Sequence, residues 1–108
     1  MILEVAHLDV LPGRSAEFEA AFGEAESVIS ASPGFLGLEL KRCVERPDSY
    51  LLLVRWETLE DHTIGFRQGP LYPRWRELLH HFYDPFPVVE HFAGPTYSTS
   101  AKQPISDV

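Results

Sequence analysis

The sequence predicts an α+β fold in the order β-α-β-β-α-β, a four-stranded antiparallel sheet with two helices on one face. Three observations carry this expectation. Four short runs rich in Val, Leu, Ile and aromatic residues are bounded by Pro, Gly or Asp turn signals. Two longer stretches repeat apolar residues at three-four spacing. The two middle strand runs are separated only by Arg46-Pro47-Asp48, a hairpin length.

Residues 2–11 (ILEVAHLDVL) mix β-branched and aliphatic residues with polar ones and stop at Pro12-Gly13, which reads as the first strand. From Arg14 onward Phe18, Ala21, Phe22, Ala25, Val28 and Ile29 share one helical face, while Glu17, Glu19, Glu24 and Glu26 take other positions. Ser32-Pro33-Gly34 ends this helix, because Pro33 lacks the donor that continues the ladder and Gly34 tolerates a positive φ. Residues 35–45 and 49–56 form the hairpin.

Thr58 is an N-cap candidate with Asp61 three residues on, a variant of the capping box. The helix it opens carries Leu59, His62 and Phe66 on one stripe. Gly69-Pro70 breaks it, and a second helical pattern resumes at Leu71, Tyr72, Trp75, Leu78, Leu79 and Phe82, with Pro73 tolerable in the first turn. Asp84-Pro85-Phe86-Pro87 forces an extended connection into a short last strand, Val88 to Phe92. Residues 1–92 thus read as one domain and residues 93–108 as a polar C-terminal tail. Right-handed crossovers and hairpin adjacency place the strands in spatial order 4-1-3-2, a ferredoxin-like unit.

The 108 residues leave room for one core, and the apolar and aromatic content is that of a packed protein. A net charge of −7 and the lack of any Lys/Arg stripe argue against nucleic acid and against an anionic membrane surface. No apolar run approaches the roughly 20 residues that span a bilayer. The first residues read directly into a strand and not into a secretory signal, and Cys43 is the sole cysteine, so the expected location is cytoplasmic. No phosphate loop, HExxH pattern or Ser-His-Asp order appears.

With both helices on one sheet face, the other face should be polar in a monomer. It is not. Tyr50 to Val54 is continuously apolar, and Leu36, Leu38 and Leu40 oppose Phe35 in the preceding strand. A patch of this kind exceeds what a soluble monomer normally exposes, and the simplest cover is a twofold copy presenting the same face. The expected assembly is a homodimer closing into a dimeric α+β barrel.

Three motifs in order carry a resemblance. They are Leu11-Pro12-Gly13-Arg14 followed by Glu17-Phe18, then Pro33-Gly34-Phe35-Leu36-Gly37, then Leu52-Leu53-Val54-Arg55-Trp56-Glu57 followed by His62. Over residues 2 to about 92 the chain resembles the antibiotic biosynthesis monooxygenase domain family of the dimeric α+β barrel superfamily. The resemblance implies a homodimer with a pocket between sheet and helices in each subunit. It also implies a monooxygenase that oxidises a small aromatic or quinol-type substrate with dioxygen and without a cofactor. The alternative is a non-catalytic module of the same fold that binds a small hydrophobic ligand or serves assembly. Haem-degrading relatives depend on an Asn in the first strand with a Trp and a His, and this chain has no Asn, which counts against that chemistry.

His62 is the expected catalytic residue, since its helical spacing turns it inward and an imidazole exchanges protons near neutrality. A buried His bonded to backbone is the competing reading. Trp56 matches a family Trp that lines the pocket, where an indole stacks on a planar substrate. Tyr72, Phe66 and Trp75 complete the expected substrate-binding set, with Tyr72 as a polar handle. His7 and His91 sit on strands that neighbour each other in the expected sheet, but two histidines without a third ligand do not make a metal site, and none is expected. His80 and His81 read as solvated helix-end residues.

Overall fold

Period-two alternation decides which strand residues meet the helices. The computed structural model describes residues 1–102, and its elements are β1 (Ile2–Asp9), α1 (Ser15–Ile29), β2 (Phe35–Arg42), β3 (Ser49–Trp56), a π-helical turn (Asp61–Phe66), α2 (Tyr72–Leu79), a 3-10 turn (His80–Phe82) and β4 (Val89–Phe92). The four strands form one antiparallel sheet in the order β2-β3-β1-β4. This is the ferredoxin-like arrangement that the sequence predicts, with each element within a few residues of its expected bounds.

Glu4, Ala6 and Leu8 of β1 and Tyr50, Leu52, Val54 and Trp56 of β3 point to the helical side and are buried. Phe18, Phe22, Ala25 and Ile29 of α1 meet them with Trp75 and Leu79 of α2. Trp56, Phe18, Phe66, Ile29, Leu79 and Val54 are the largest fully buried side chains. Each contributes about 1.5–3 kcal/mol of transfer free energy, more for the aromatics.

The opposite sheet face carries Leu3 and Val5 from β1, Leu51 and Leu53 from β3, and Phe92 from β4. The four aliphatics are half-buried and Phe92 is exposed. Two-sided apolarity of β3 is therefore real. Strand β2 differs from expectation. A β-bulge between Phe35 and Gly37 inserts Leu36 as an extra residue, so Phe35, Leu38 and Leu40 all face the helices instead of lying on opposite sides.

The Thr58–Asp61 box forms reciprocally: the Thr58 backbone N–H donates to Asp61 Oδ2 at 3.1 Å, and the Asp61 N–H donates to Thr58 Oγ1 at 3.2 Å. Gly34 sits against it at φ +85°, where a Cβ would collide with the Asp61 carboxylate. Beyond the cap the helix winds as a π turn, with the Arg67 N–H donating to the His62 carbonyl at 2.9 Å. His62 and Phe66 face inward as expected, but Leu59, in the turn ahead of the π winding, is 39% exposed and leaves the stripe. Residues 93–102 hold no regular element and are exposed; the remainder of the expected tail lies outside the described residues. Among the described residues no helix is long and apolar enough to cross a membrane.

Candidate functional site

Strand alternation puts a carboxylate into the apolar interior. Glu4 shares the inward phase of β1 with Ala6 and Leu8, is only 6% exposed, and stands directly across from His91 in the β1–β4 register. Such burial requires partners. The Trp56 indole N–H donates to Glu4 Oε1 at 2.9 Å, and His62 Nε2 lies 3.3 Å from the same oxygen. His62 Nδ1 lies 2.7 Å from His91 Nε2. The result is a chain from Trp56 through Glu4 and His62 to His91, running from the sealed core to a half-exposed edge strand.

Both members of the central contact shift toward their neutral forms. Burial raises the Glu4 carboxyl above its ordinary range, opposed by the Trp56 hydrogen bond and the Arg67 charge. Burial, then Arg67, then His91 lower His62 to about 3. His62 is therefore a neutral imidazole at pH 7, and its 3.3 Å approach to Glu4 is not an ion pair. His91 is lowered by burial and by Arg67.

A cavity of about 30 Å³ adjoins this chain, space for one or two water-sized molecules. Glu4 and His62 form its polar wall; Phe66, Tyr72 and Trp75 form an aromatic wall. Arg67 stands at the rim without an ion-pair partner among the described residues. Phe86 and Pro87, from the connection between the 3-10 turn and β4, also line the cavity, and Phe86 is exposed. Tyr83 also reaches the cavity, its hydroxyl pushed above the usual phenol range by burial and by Tyr72 and Glu4.

Of the residues expected from sequence, His62, Phe66, Tyr72 and Trp75 line one cavity. Trp56 does not. It is fully buried behind His62, stacked on that ring with centroids 5.4 Å apart and planes at 20°. Its indole contacts Glu4 through the N–H and His62 through the ring face. His7 and His91 lie on adjacent strands but on opposite faces, because His7 belongs to the outward phase and is exposed. Among the described residues no three His, Cys, Asp or Glu side chains are grouped to hold a metal ion. His80 is not a solvated charge: it packs edge-on to Phe86 at 5.0 Å, lines the cavity, and is lowered mainly by burial. Glu4 and Tyr83 were not anticipated, and His91 was considered only as a neighbour of His7. For Glu4 the signal was present, since a period-two reading of residues 2–10 puts it in phase with Ala6, Leu8 and Val10.

Residues 1–78 match the family model described as antibiotic biosynthesis monooxygenase. The chain is 51% identical to the uncharacterized protein YczJ of Bacillus subtilis over 92 residues, 85% of this chain and 97% of that one. It is 30% identical to a mycobilin-producing heme oxygenase of Mycobacterium tuberculosis over 59 residues, 55% of this chain and 56% of that protein, so it spans about half the length of that relative. Among solved structures it is similar to a putative antibiotic biosynthesis monooxygenase from Bordetella bronchiseptica, at 36% identity, TM-score 0.83, and 87% and 96% coverage of the two chains. It also shares its fold with SnoaB, a cofactor-independent oxygenase from Streptomyces nogalater, at 20% identity, TM-score 0.77, and 89% and 94% coverage.

Proposed function

Because the chain belongs to the antibiotic biosynthesis monooxygenase family, we propose that it is a cofactor-independent monooxygenase that oxidises a small aromatic or quinol-type hydroxyl compound with dioxygen. The observation that carries this reading is a buried Glu4–His62 pair forming one wall of a cavity whose other wall is aromatic. A phenol or hydroquinone that loses its proton there becomes electron-rich enough to pass an electron to dioxygen itself. The protein then has to bind, deprotonate and shield. One oxygen atom enters the ring, the other leaves as water, and the substrate supplies all four electrons: a hydroquinone plus dioxygen gives a hydroxyquinone plus water.

Phe66, Tyr72 and Trp75 bind the ring face and edge, Tyr72 offers a hydroxyl, and Arg67 at the rim favours the anion. An aromatic ring exceeds the present 30 Å³, so binding requires the Asp84–Val88 connection to move outward. The residues do not fit haem, since both ring nitrogens of His62 are engaged by Glu4 and His91 and the chain has no Asn.

A homodimer is part of this reading. The apolar outer face with Leu3, Val5, Leu51, Leu53 and Phe92 supports it, because a self-complementary twofold copy removes that surface from water. The small cavity favours one second reading, a ligand-binding or assembly module without chemistry. Oxygen uptake in metal-free buffer with hydroquinone or an anthrone-like substrate separates the two. Wild-type protein consumes oxygen and His62→Ala loses roughly 10²–10⁴-fold of it; a His62→Ala variant with undiminished turnover would remove His62 from the mechanism.

A further inference from the structure

We infer that the substrate carries a carboxylate on its hydroxylated ring, and that Arg67 at the cavity rim is the residue that selects it. The inference rests on the reading of the cavity as a site for an aromatic hydroxyl compound and deepens it by naming the substrate class.

The pairing of charges singles out Arg67. The sequence holds nine Lys and Arg against sixteen Asp and Glu, so carboxylates are in excess over cations. Arg14, Lys41, Arg42, Arg55 and Arg74 each pair with at least one of them. Arg67 pairs with none among the described residues, and unlike the other unpaired arginines, Arg46 and Arg76, it lines the cavity beside Glu4 and His62. Its charge is felt by Glu4 and by His62, His80 and His91, which places it toward the site's polar groups.

Those groups do not neutralise it. The histidines are all shifted toward their uncharged form, and Glu4, the one carboxylate that lines this cavity, is shifted toward its neutral form by burial. The guanidinium is left with a planar fork of N–H donors and no anion to receive them, the geometry that two oxygens of a carboxylate fill. Tyr72 and Tyr83 line the same cavity and carry hydroxyl donors; burial holds the Tyr83 hydroxyl in its protonated form. One cation beside neutral donors balances a single negative charge. A phosphate monoester, with about −1.5 to −2 charges at pH 7, exceeds that balance and would meet Glu4. With the carboxylate on Arg67, the aromatic wall of Phe66, Tyr72 and Trp75 receives the ring, and the hydroxyl lies toward the Glu4–His62 wall.

The test is equilibrium binding to the full-length protein without dioxygen, so that no turnover enters. The probes are gentisate, a hydroquinone bearing one ring carboxylate, and its methyl ester, read by calorimetry at low salt. Wild type should bind the acid roughly 10–100-fold tighter than the ester, the range of one charge-assisted contact, and added salt should shrink the preference. Arg67→Gln should lose the preference while keeping its affinity for the ester, and Arg67→Lys should retain part of it. Equal affinity for acid and ester in the wild type, binding of neither, or a preference that survives in Arg67→Gln each overturns the inference; the wild-type comparison needs no variant to fold. Acid-selective binding without oxygen uptake sinks the monooxygenase reading and leaves the ligand class standing. Oxygen uptake with hydroquinone, joined to equal binding of acid and ester, sinks the inference alone.

Discussion

His62 Nδ1 lies 2.7 Å from His91 Nε2, joining the π turn after β3 to the edge strand β4 across 29 residues. This contact occupies one nitrogen of an imidazole whose other nitrogen lies 3.3 Å from Glu4 Oε1, and it makes the histidine part of a chain of side chains. Several consequences are measurable.

Stability should fall on acidification. His62 has its folded value lowered from 6.5 to about 3, so between those values the unfolded chain binds the proton and the folded one does not. Stability is full above pH 6.5 and is lost as pH falls toward 3. At about 1.4 kcal/mol per unit, the loss is on the order of 4–5 kcal/mol at the acid end. His80 and His91 shift in the same direction. Glu4 opposes them, because its raised value contributes stability at low pH that is lost as pH rises through the folded value. The His62 shift by itself lowers urea midpoints between pH 6.5 and 4. His62→Asn should flatten that slope.

Trp56→Phe removes the one donor to the Glu4 side chain among the described residues that does not titrate. An unsatisfied buried acceptor costs about 1–3 kcal/mol, and Glu4 should titrate still higher. Chemical denaturation and a ¹³C titration of the Glu4 carboxyl check the two halves; an unshifted Glu4 would deny Trp56 its positioning role.

Gly34→Ala should be costly out of proportion to its size. The residue holds φ +85° and a Cβ there would meet the Asp61 carboxylate, displacing the cap that starts the π turn. A loss of about 1–3 kcal/mol is expected from the strain. Thr58→Ala, which removes one cap bond only, should lose about 1 kcal/mol. Thermal melts of both variants rank them.

Leu53→Glu tests the outer sheet face. Leu53 pairs with Val5 in β1 and Glu39 in β2 on the side away from the helices. Sedimentation equilibrium at micromolar concentration should give a dimer mass for the wild type and a monomer mass for the variant. A wild-type monomer would leave the apolar face without the partner proposed for it.

Periodicity made most of the fold legible. The three-four spacing of Phe18, Phe22, Ala25 and Ile29 and the hairpin turn at Arg46-Pro47-Asp48 each lead to the observed element. The bulge at Leu36 was not legible, because one extra residue changes the phase of a strand without leaving a mark in composition. Nor was the π turn, whose register is set by the packing of His62 and Phe66 against Trp56. At the site, helical spacing found His62 and Phe66. Glu4 and His91 come together only through the cross-strand register of β1 and β4, a distance relation between positions 87 residues apart that no local pattern contains. Trp56 was found for the wrong contact: its ring meets His62 and its N–H meets Glu4, and neither faces open space.

The central claim is that the cavity beside Glu4 and His62 supports oxygen transfer to an ionised aromatic hydroxyl. Its most direct test is a single-turnover reaction with hydroquinone under ¹⁸O₂ in metal-free buffer, read by mass spectrometry of the organic product. The account predicts one labelled oxygen atom per hydroxyquinone formed, with the signal lost in Glu4→Gln. Product formed at the uncatalysed rate, or equal labelling by wild type and Glu4→Gln, would contradict it.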